Sequence, residues 1–199
     1  MTEINMFGWE MDEAGIVTLT MDDPTQSVNT MNELFLASLR PTVERLEAEK
    51  DKINGVVITS AKKTFFAGAN LDDVIKATPA DAEKWTQLTN DMKSLFRRLE
   101  TLGRPVVAAI NGAALGAGLE LALACHHRVA LDVKGSQIGL PEVGLGLLPG
   151  GGGVVRTVRM FGIQTALMNH LLQGQQRKPK EALAAGVVDE LVYSPEELM

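Results

Sequence analysis

Hydrophobic residues along the chain alternate between short β-branched runs and longer stripes with helical spacing. The runs at 15–21, 55–59, 105–111 and 128–132 predict strands, and the last three are typical of buried parallel strands. Segment 187–193 predicts a last strand or extended segment. Helices are predicted at 31–49, 80–102 and 117–125, near 154–161 and 163–173, and at 179–186. This alternation predicts an α/β protein with right-handed crossovers.

Two of the predicted helices and the end of the sequence have distinctive residue patterns. Pro41 lies inside helix 31–49 and predicts a kink or two separate pieces. Helix 80–102 carries one apolar stripe that predicts core packing, formed by Trp85, Leu88, Met92, Leu95, Leu99 and Leu102. The sequence has no internal repeat, low-complexity run or clear linker. Its last residues, SPEELM, follow the final predicted strand with nothing to cover the exposed side of that strand.

Size, charge and cysteine content exclude several classes of function. The chain has 199 residues, which is about one domain, and its net charge is −6. No broad basic face is expected, so nucleic-acid binding is disfavoured. The single cysteine, Cys125, fits a reducing compartment and is predicted to be buried packing. The acidic N-terminus does not resemble a signal peptide, and segment 105–125 is a poor membrane span, so a cytoplasmic location is expected.

Two glutamates stand beside glycine-rich, apolar stretches. Glu120 lies in NGAALGAGLELALAC, residues 111–125, and Glu142 lies in IGLPEVGLGLLPGGGG, residues 138–153. Carboxylates are seldom buried without a reason. If the two converge in one pocket, they can divide acid and base roles between them.

Two loops are candidates for presenting backbone N–H groups to a ligand. FFAGANL, residues 65–71, has small residues that allow close approach, although a simple tight turn is the alternative. A helix predicted to start near Gly116 or Ala117 offers free N–H groups and the positive end of its dipole. Lys62 and Lys63 precede the first loop, and are either ligands for phosphate groups or part of a solvated turn.

Other sites are not supported by spacing. Residues 150–153 are glycines, but no GK[ST] sequence follows them, so they favour close helix packing or a mobile wall over a nucleotide loop. His126 and His127 are adjacent and His170 stands alone, so none has the spacing of a metal ligand. We expect these histidines to be structural or on the surface, and we expect no metal.

Taken together, these stretches resemble the crotonase family, also called the enoyl-CoA hydratase/isomerase superfamily, from about residue 15 to residue 192. FFAGANL is similar to its first oxyanion loop, residues 111–125 to its second, residues 139–153 to its second catalytic segment, and residues 179–192 to the segment after its core. The resemblance implies an α/β fold built as a ββα spiral, with two roughly perpendicular sheets wrapped by helices.

The spacing of 22 residues between the two glutamates resembles the hydratase region of multifunctional fatty-acid oxidation proteins. Those proteins continue into a 3-hydroxyacyl-CoA dehydrogenase region. We therefore expect residues 1–199 to be one enoyl-CoA hydratase-like core domain that is truncated at its C-terminus.

The resemblance also implies the site residues. Glu120 and Glu142 would be catalytic, and the backbone N–H groups of Ala69 and Ala117 would form the oxyanion hole, with Gly116 as the alternative to Ala117. Many members of the family have Gly where Ala117 stands and Asp where Asn70 stands. The substrate is expected to contact Phe65, Ala67, Gly68, Asn70, Leu71, Leu140, Pro141, Gly144 and Gly150.

The implied function is a 2-enoyl-CoA hydratase of fatty-acid β-oxidation that needs no cofactor, because CoA is part of the substrate. Glu120 would take a proton from water, and Glu142 would deliver one to C2 of the acyl chain. The alternatives are a double-bond isomerase or other acyl-CoA reaction on the same scaffold, and an inactive truncated domain that serves in assembly. The expected partners are an acyl-CoA thioester and a homo-oligomer (trimer or hexamer) or a fatty-acid oxidation complex with a thiolase.

Overall fold

A six-stranded sheet forms the centre of the fold. The structure is a computed structural model that describes residues 5–199, apart from the side chains of Asp72 and Asp73. The nine strands are β1 Phe7–Met11, β2 Ile16–Met21, β3 Gly55–Ser60, β4 Val106–Ile110, β5 Ala114–Leu115, β6 His127–Leu131, β7 Ile138–Gly139, β8 Gln176–Arg177 and β9 Glu190–Val192. The large sheet has the order β1-β2-β3-β4-β6-β9, and only the β1–β2 pair is antiparallel. The predicted strands are therefore confirmed as β2, β3, β4, β6 and β9.

Eight helices pack around the strands in the described residues. They are α1 Glu33–Glu49, α2 Leu71–Lys76, α3 Ala82–Glu100, α4 Ala117–Ala124, α5 Gly153–Phe161, α6 Ile163–Ala166, α7 Pro179–Ala184 and α8 Pro195–Leu198. Segments Lys50–Lys52, Pro79–Asp81 and Pro141–Leu145 are 3-10 turns, and Leu167–Leu171 continues α6 with π-helical hydrogen bonds. All six predicted helical regions are confirmed.

Helix α1 is one helix rather than two pieces, although it contains Pro41. Proline lacks the N–H that would bond to the carbonyl of residue 37, so one helical hydrogen bond is lost. The buried side chains of Leu39, Val43 and Leu46 hold the same face of the helix against the core on both sides of the proline. Packing therefore outweighs the local cost.

A second, three-stranded sheet reveals a structural repeat that the sequence does not show. Its order is β5-β7-β8, and the isolated bridge Phe66↔Ala114 extends it by one residue. Each of β3, β4 and β6 is thus followed by a short segment in the second ladder and then by a helix. These are successive ββα units, and the predicted fold class is confirmed. The paired positions Phe66, Ala114 and Ile138 share no residue type, which is why no sequence repeat is visible.

Elements near the two ends of the chain also differ from the sequence expectation. Strand β1 was not predicted, because only Phe7 of its five residues is buried. The final helix α8 was also missed. Its Leu198 packs with Ala109, Leu131 and Val192, so the side of β9 expected to be bare is partly covered.

Candidate active site

The first predicted oxyanion loop is held in place by the segment before α1. The Ala67 N–H donates to the carbonyl of Asn29, the Met31 N–H donates to the carbonyl of Gly68, and the Asn70 N–H donates to the carbonyl of Met31. Met31 and Ala69 form a parallel bridge in which neither backbone group of Ala69 takes part. The Ala69 N–H therefore has no backbone acceptor among the described residues.

The second loop meets the first at its glycines. Gly68 (φ +94°) and Gly116 (φ +52°) lie in a region that favours glycine. A Cβ on Gly68 would lie 3.1 Å from the carbonyl oxygen of Leu115, so a larger residue would push the loops apart. The Gly116 N–H donates to the carbonyl of Gly139 at 3.0 Å, which removes it as an alternative donor. Ala117 is the first residue of α4, and its N–H has no partner within the helix.

Glu120 is buried in the first turn of α4, with 2% of its surface exposed. The Gly153 N–H donates to its Oε1 at 2.8 Å, and the N–H groups of Gly151 and Gly152 lie near enough to favour the ionised carboxylate. Burial raises the pKa of Glu120, while these N–H groups and the charge of Arg156 oppose the rise. A carboxylate in this place is stabilised by amides at the N-terminus of α5.

The glycine run at 150–153 has a physical explanation in this contact. A Cβ on Gly151 would lie 2.6 Å from Oε2 of Glu120, and a Cβ on Gly153 would lie 3.0 Å from its Oε1. Larger residues would therefore displace the carboxylate. The sequence predicted close helix packing or a mobile wall at these glycines; the structure shows close packing against the Glu120 carboxylate of α4, with Met92 of α3 also 3.0 Å from the Gly151 position.

Glu142 has fewer stabilising contacts. It lies in the 3-10 turn Pro141–Leu145, and its Oε1 would be 3.0 Å from a Cβ on Gly116. Its Oε2 is buried without a hydrogen-bond partner in the part of the chain that the structure describes. Burial raises the pKa of Glu142 to about 7; its own backbone N–H opposes the rise and the negative charge of Glu120 adds to it.

Both glutamates line one cavity of about 720 Å³. The predicted site residues that also line it are Ala67, Gly68, Ala69, Leu71, Gly116, Ala117, Pro141, Gly144 and Gly150. The sequence argument missed one wall, which consists of Trp85, Thr89 and Met92 from α3. The stripe on α3 was assigned wholly to the core, but its N-terminal part borders this cavity.

Three residues predicted to contact the substrate do not line the cavity. Phe65 is fully buried in the core, and Leu140 is 2% exposed, with its Cδ1 packed against Gly153. Asn70 follows Ala69, and its N–H is turned to the carbonyl of Met31. The neighbours of the last two do line the cavity, namely Pro141 beside Leu140 and Ala69 beside Asn70, whereas Phe65 and its neighbour Phe66 both lie in the core.

The remaining candidates are accounted for by structural contacts. Lys62 forms an ion pair with Asp22 at 2.6 Å, so its charge is already engaged. Cys125 is buried, and burial raises its pKa to about 12, so it stays a thiol. The ring of His126 accepts a hydrogen bond from the Val106 N–H. His170 is buried and stacks on Phe161.

Among the side chains that the structure describes, which exclude those of residues 1–4, 72 and 73, no group of three or more His, Cys, Asp or Glu is placed to hold a metal ion. The described helices also include none that is both long and apolar enough to cross a membrane.

Comparison with known sequences identifies the family to which this chain belongs. The sequence profile of the enoyl-CoA hydratase/isomerase family matches residues 11–199. The fatty acid oxidation complex subunit alpha of Idiomarina loihiensis is 42% identical over 194 residues, which cover 96% of this chain and 27% of that protein. The corresponding subunit of Shewanella frigidimarina is 46% identical over 179 residues, covering 89% of this chain and 25% of that protein. The chain thus spans about a quarter of the length of these relatives.

Comparison with solved structures gives a consistent result. The crystal structure of enoyl-CoA hydratase from Bacillus anthracis superposes with a TM-score of 0.84 at 28% identity. The superposition covers 95% of this chain and 70% of the other.

Proposed function

Because the chain belongs to the enoyl-CoA hydratase/isomerase family, we propose that it is a 2-enoyl-CoA hydratase. It would add water across the 2,3 double bond of an acyl-CoA thioester in fatty-acid β-oxidation. One observation carries this proposal: Glu120 and Glu142 line the same cavity as Ala69 and Ala117, whose N–H groups have no backbone acceptor in the described structure. A carboxylate pair with two adjacent N–H donors suits chemistry on a thioester.

The two N–H groups would form the oxyanion hole. Addition of water to C3 moves negative charge onto the thioester oxygen, and donors already in position stabilise that charge. Each such donor typically contributes about 3 kcal/mol in a site that excludes bulk water. The Ala69 and Ala117 backbones are fixed by the contacts of their loops, so little reorganisation is needed when the charge develops.

The two carboxyl groups differ in a way that supports a division of roles. Glu120 accepts a hydrogen bond from the glycine run and is close to Arg156, and both favour its ionised form. Glu142 has only its own N–H in support, and its pKa is raised to about 7. Glu120 is therefore suited to take a proton from water, and Glu142, protonated, to deliver one to C2. A water bound between them would give its hydroxyl to C3.

The proposal is tested by comparing the absorbance changes that the protein causes with two substrates. With crotonyl-CoA, the wild-type protein should remove the absorbance of the conjugated enoyl thioester and yield 3-hydroxybutyryl-CoA. With a 3-enoyl-CoA, an isomerase would instead generate that absorbance. Rapid loss with the first substrate and slow or no gain with the second supports the hydratase; the reverse pattern would establish the isomerase and sink the proposal.

Further expectations belong to the same proposal. The chain would be a hydratase-like core domain that needs no cofactor beyond the CoA of its substrate. It would assemble as a trimer or hexamer, or within a fatty-acid oxidation complex with a thiolase; in support of a complex, its relatives are named as alpha subunits of a fatty acid oxidation complex. The cytoplasm is its expected location. Size-exclusion chromatography with light scattering, alone and with a thiolase, would test the assembly.

A further inference from the structure

Arg156 is a buried cation beside the site that sequence reasoning did not single out. It lies in the first turn of α5, and 9% of its surface is exposed. Its Nη1 donates to the carbonyl of Gly151 at 3.0 Å, and its Nε and Nη2 each lie 3.4 Å from a carboxylate oxygen of Glu100 in α3. A buried arginine requires partners of this kind. The side chain thereby ties the glycine run to α3.

The contact with Gly151 has a direct geometric consequence for Glu120. The carbonyl of Gly151 and the N–H of Gly152 belong to one planar trans peptide, so they point in opposite directions. With the carbonyl fixed on Arg156, the Gly152 N–H is turned to the other side. On that side lies the Glu120 carboxylate, whose ionised form the Gly152 N–H favours and whose Oε1 accepts from the next amide, Gly153, at 2.8 Å. Arg156 therefore determines the orientation of a peptide that faces the proposed base.

Arg156 also supplies charge. Its positive charge favours the ionised form of Glu120. The other charged groups around this cluster are Glu142 from the 3-10 turn, and Glu100 with its partner Arg97 from α3. Partial burial of Glu100 tends to raise its pKa, but the hydrogen bond from Arg97 and the charge of Arg156 outweigh this and lower it. Glu100 thus remains an anionic anchor.

We infer that Arg156 is a positioning residue for the reaction: anchored on Glu100, it orients the Gly151–Gly152 peptide and holds the glycine run against the Glu120 carboxylate. It does not line the cavity and is not expected to contact the substrate. The inference rests on the proposed function and adds a residue to it.

The first test uses the pH dependence of kcat/KM for crotonyl-CoA in the wild type, Arg156→Gln and Arg156→Lys. Loss of the cation should lower kcat with little change in KM. The pH profile is expressed as the ratio of kcat/KM at pH 5 to its maximum value. Loss of the cation should lower this ratio by at least about threefold. Loss of a directly paired cation would lower it by about tenfold or more. Arg156→Lys keeps the charge and should restore most of this ratio.

Arg159→Gln is the matched control, because Arg159 is an exposed arginine on the same helix. It should leave the ratio unchanged. An unchanged ratio in Arg156→Gln, no recovery in Arg156→Lys, or an equal effect of Arg159→Gln would overturn the inference. If Arg156→Gln does not fold, Glu100→Gln provides the test through hydrogen exchange: with the anchor of Arg156 weakened, the amides of Gly151–Gly153 should exchange faster than in the wild type, and unchanged exchange would overturn the inference.

A second readout separates this inference from the proposed function. Amide hydrogen exchange of Gly151–Gly153 in the substrate-free protein should be faster in Arg156→Gln than in the wild type, and unchanged in Arg159→Gln. If the wild type hydrates no 2-enoyl-CoA, the proposed function fails, but this exchange experiment still decides whether Arg156 holds the glycine run. Equal exchange in all three proteins would refute that role.

Discussion

Replacing Glu142 by glutamine should increase stability at neutral and alkaline pH while removing activity. The buried carboxyl is unfavourable when ionised, because its Oε2 has no hydrogen-bond partner in the described structure and Glu120 is nearby. Glutamine has nearly the same shape and no charge. A raised pKa means that the folded state binds the proton more tightly than the unfolded state does. The stability from this group is thus complete below pH 4.5 and is lost as the pH rises through about 7.

The magnitude follows from the same shift. A rise from 4.5 to about 7 corresponds to about 3 kcal/mol at about 1.4 kcal/mol per pH unit. Glu142 is only partly buried, and solvent screening reduces the figure to roughly 1.5–2 kcal/mol. The difference in the free energy of unfolding between Glu142→Gln and the wild type should therefore increase by roughly 1 kcal/mol between pH 5 and pH 8, because the unfolded carboxyl is already partly ionised at pH 5.

Urea denaturation at pH 5 and pH 8 measures this difference. Comparing the two proteins at each pH cancels the contributions of the ionisable groups that do not interact with Glu142, which leaves Glu120 as the coupled partner. Glu10→Gln, at an exposed position, is the control and should show no such increase. A difference that stays constant with pH would refute the claim that burial of an ionisable Glu142 raises its pKa.

Three further changes test individual contacts. Ala117→Pro removes one N–H of the proposed oxyanion hole at the first position of α4, where proline is tolerated. Circular dichroism should show that the fold persists. Turnover should show that kcat falls by about 10²–10³. Gly151→Ala would place a Cβ 2.6 Å from Oε2 of Glu120 and should lower kcat by about tenfold or more. Gly8→Ala, outside the cavity lining and with no contact closer than 3.6 Å, is the control and should leave kcat unchanged. Asn29→Ala removes a buried side-chain amide that forms hydrogen bonds with Met21, Ser60 and Asp23. Urea denaturation should show a free energy of unfolding that is lower by about 2–3 kcal/mol. The control Asn90→Ala, at an exposed position, should show little change.

The sequence predicted correctly those features that depend on residues within one short segment. Glu120 is three residues into a helix that begins with small residues, so its proximity to free N–H groups follows from helix geometry alone. The large sheet was also predictable, because β3, β4 and β6 are short, strongly apolar runs. Both predictions depend on residues that are close in sequence.

What the sequence did not provide depends on distant contacts. Arg156 matters because it reaches Glu100, 56 residues away. Trp85 and Met92 border the cavity because α3 packs beside α4, which helical spacing alone does not show. Phe65 was predicted to contact the substrate because it belongs to the first oxyanion loop. The structure buries its side chain in the core, and membership of the loop does not show which way a side chain points.

The central claim is that Glu120 and Glu142 act together on one water molecule. It is tested most directly by the turnover of crotonyl-CoA in Glu120→Gln, Glu142→Gln and the double variant. Each single variant should lose about 10²–10⁴ in kcat, and the double variant should be little worse than the poorer single one, because groups that act as a unit are not additive. A single variant that retains wild-type turnover would contradict the account.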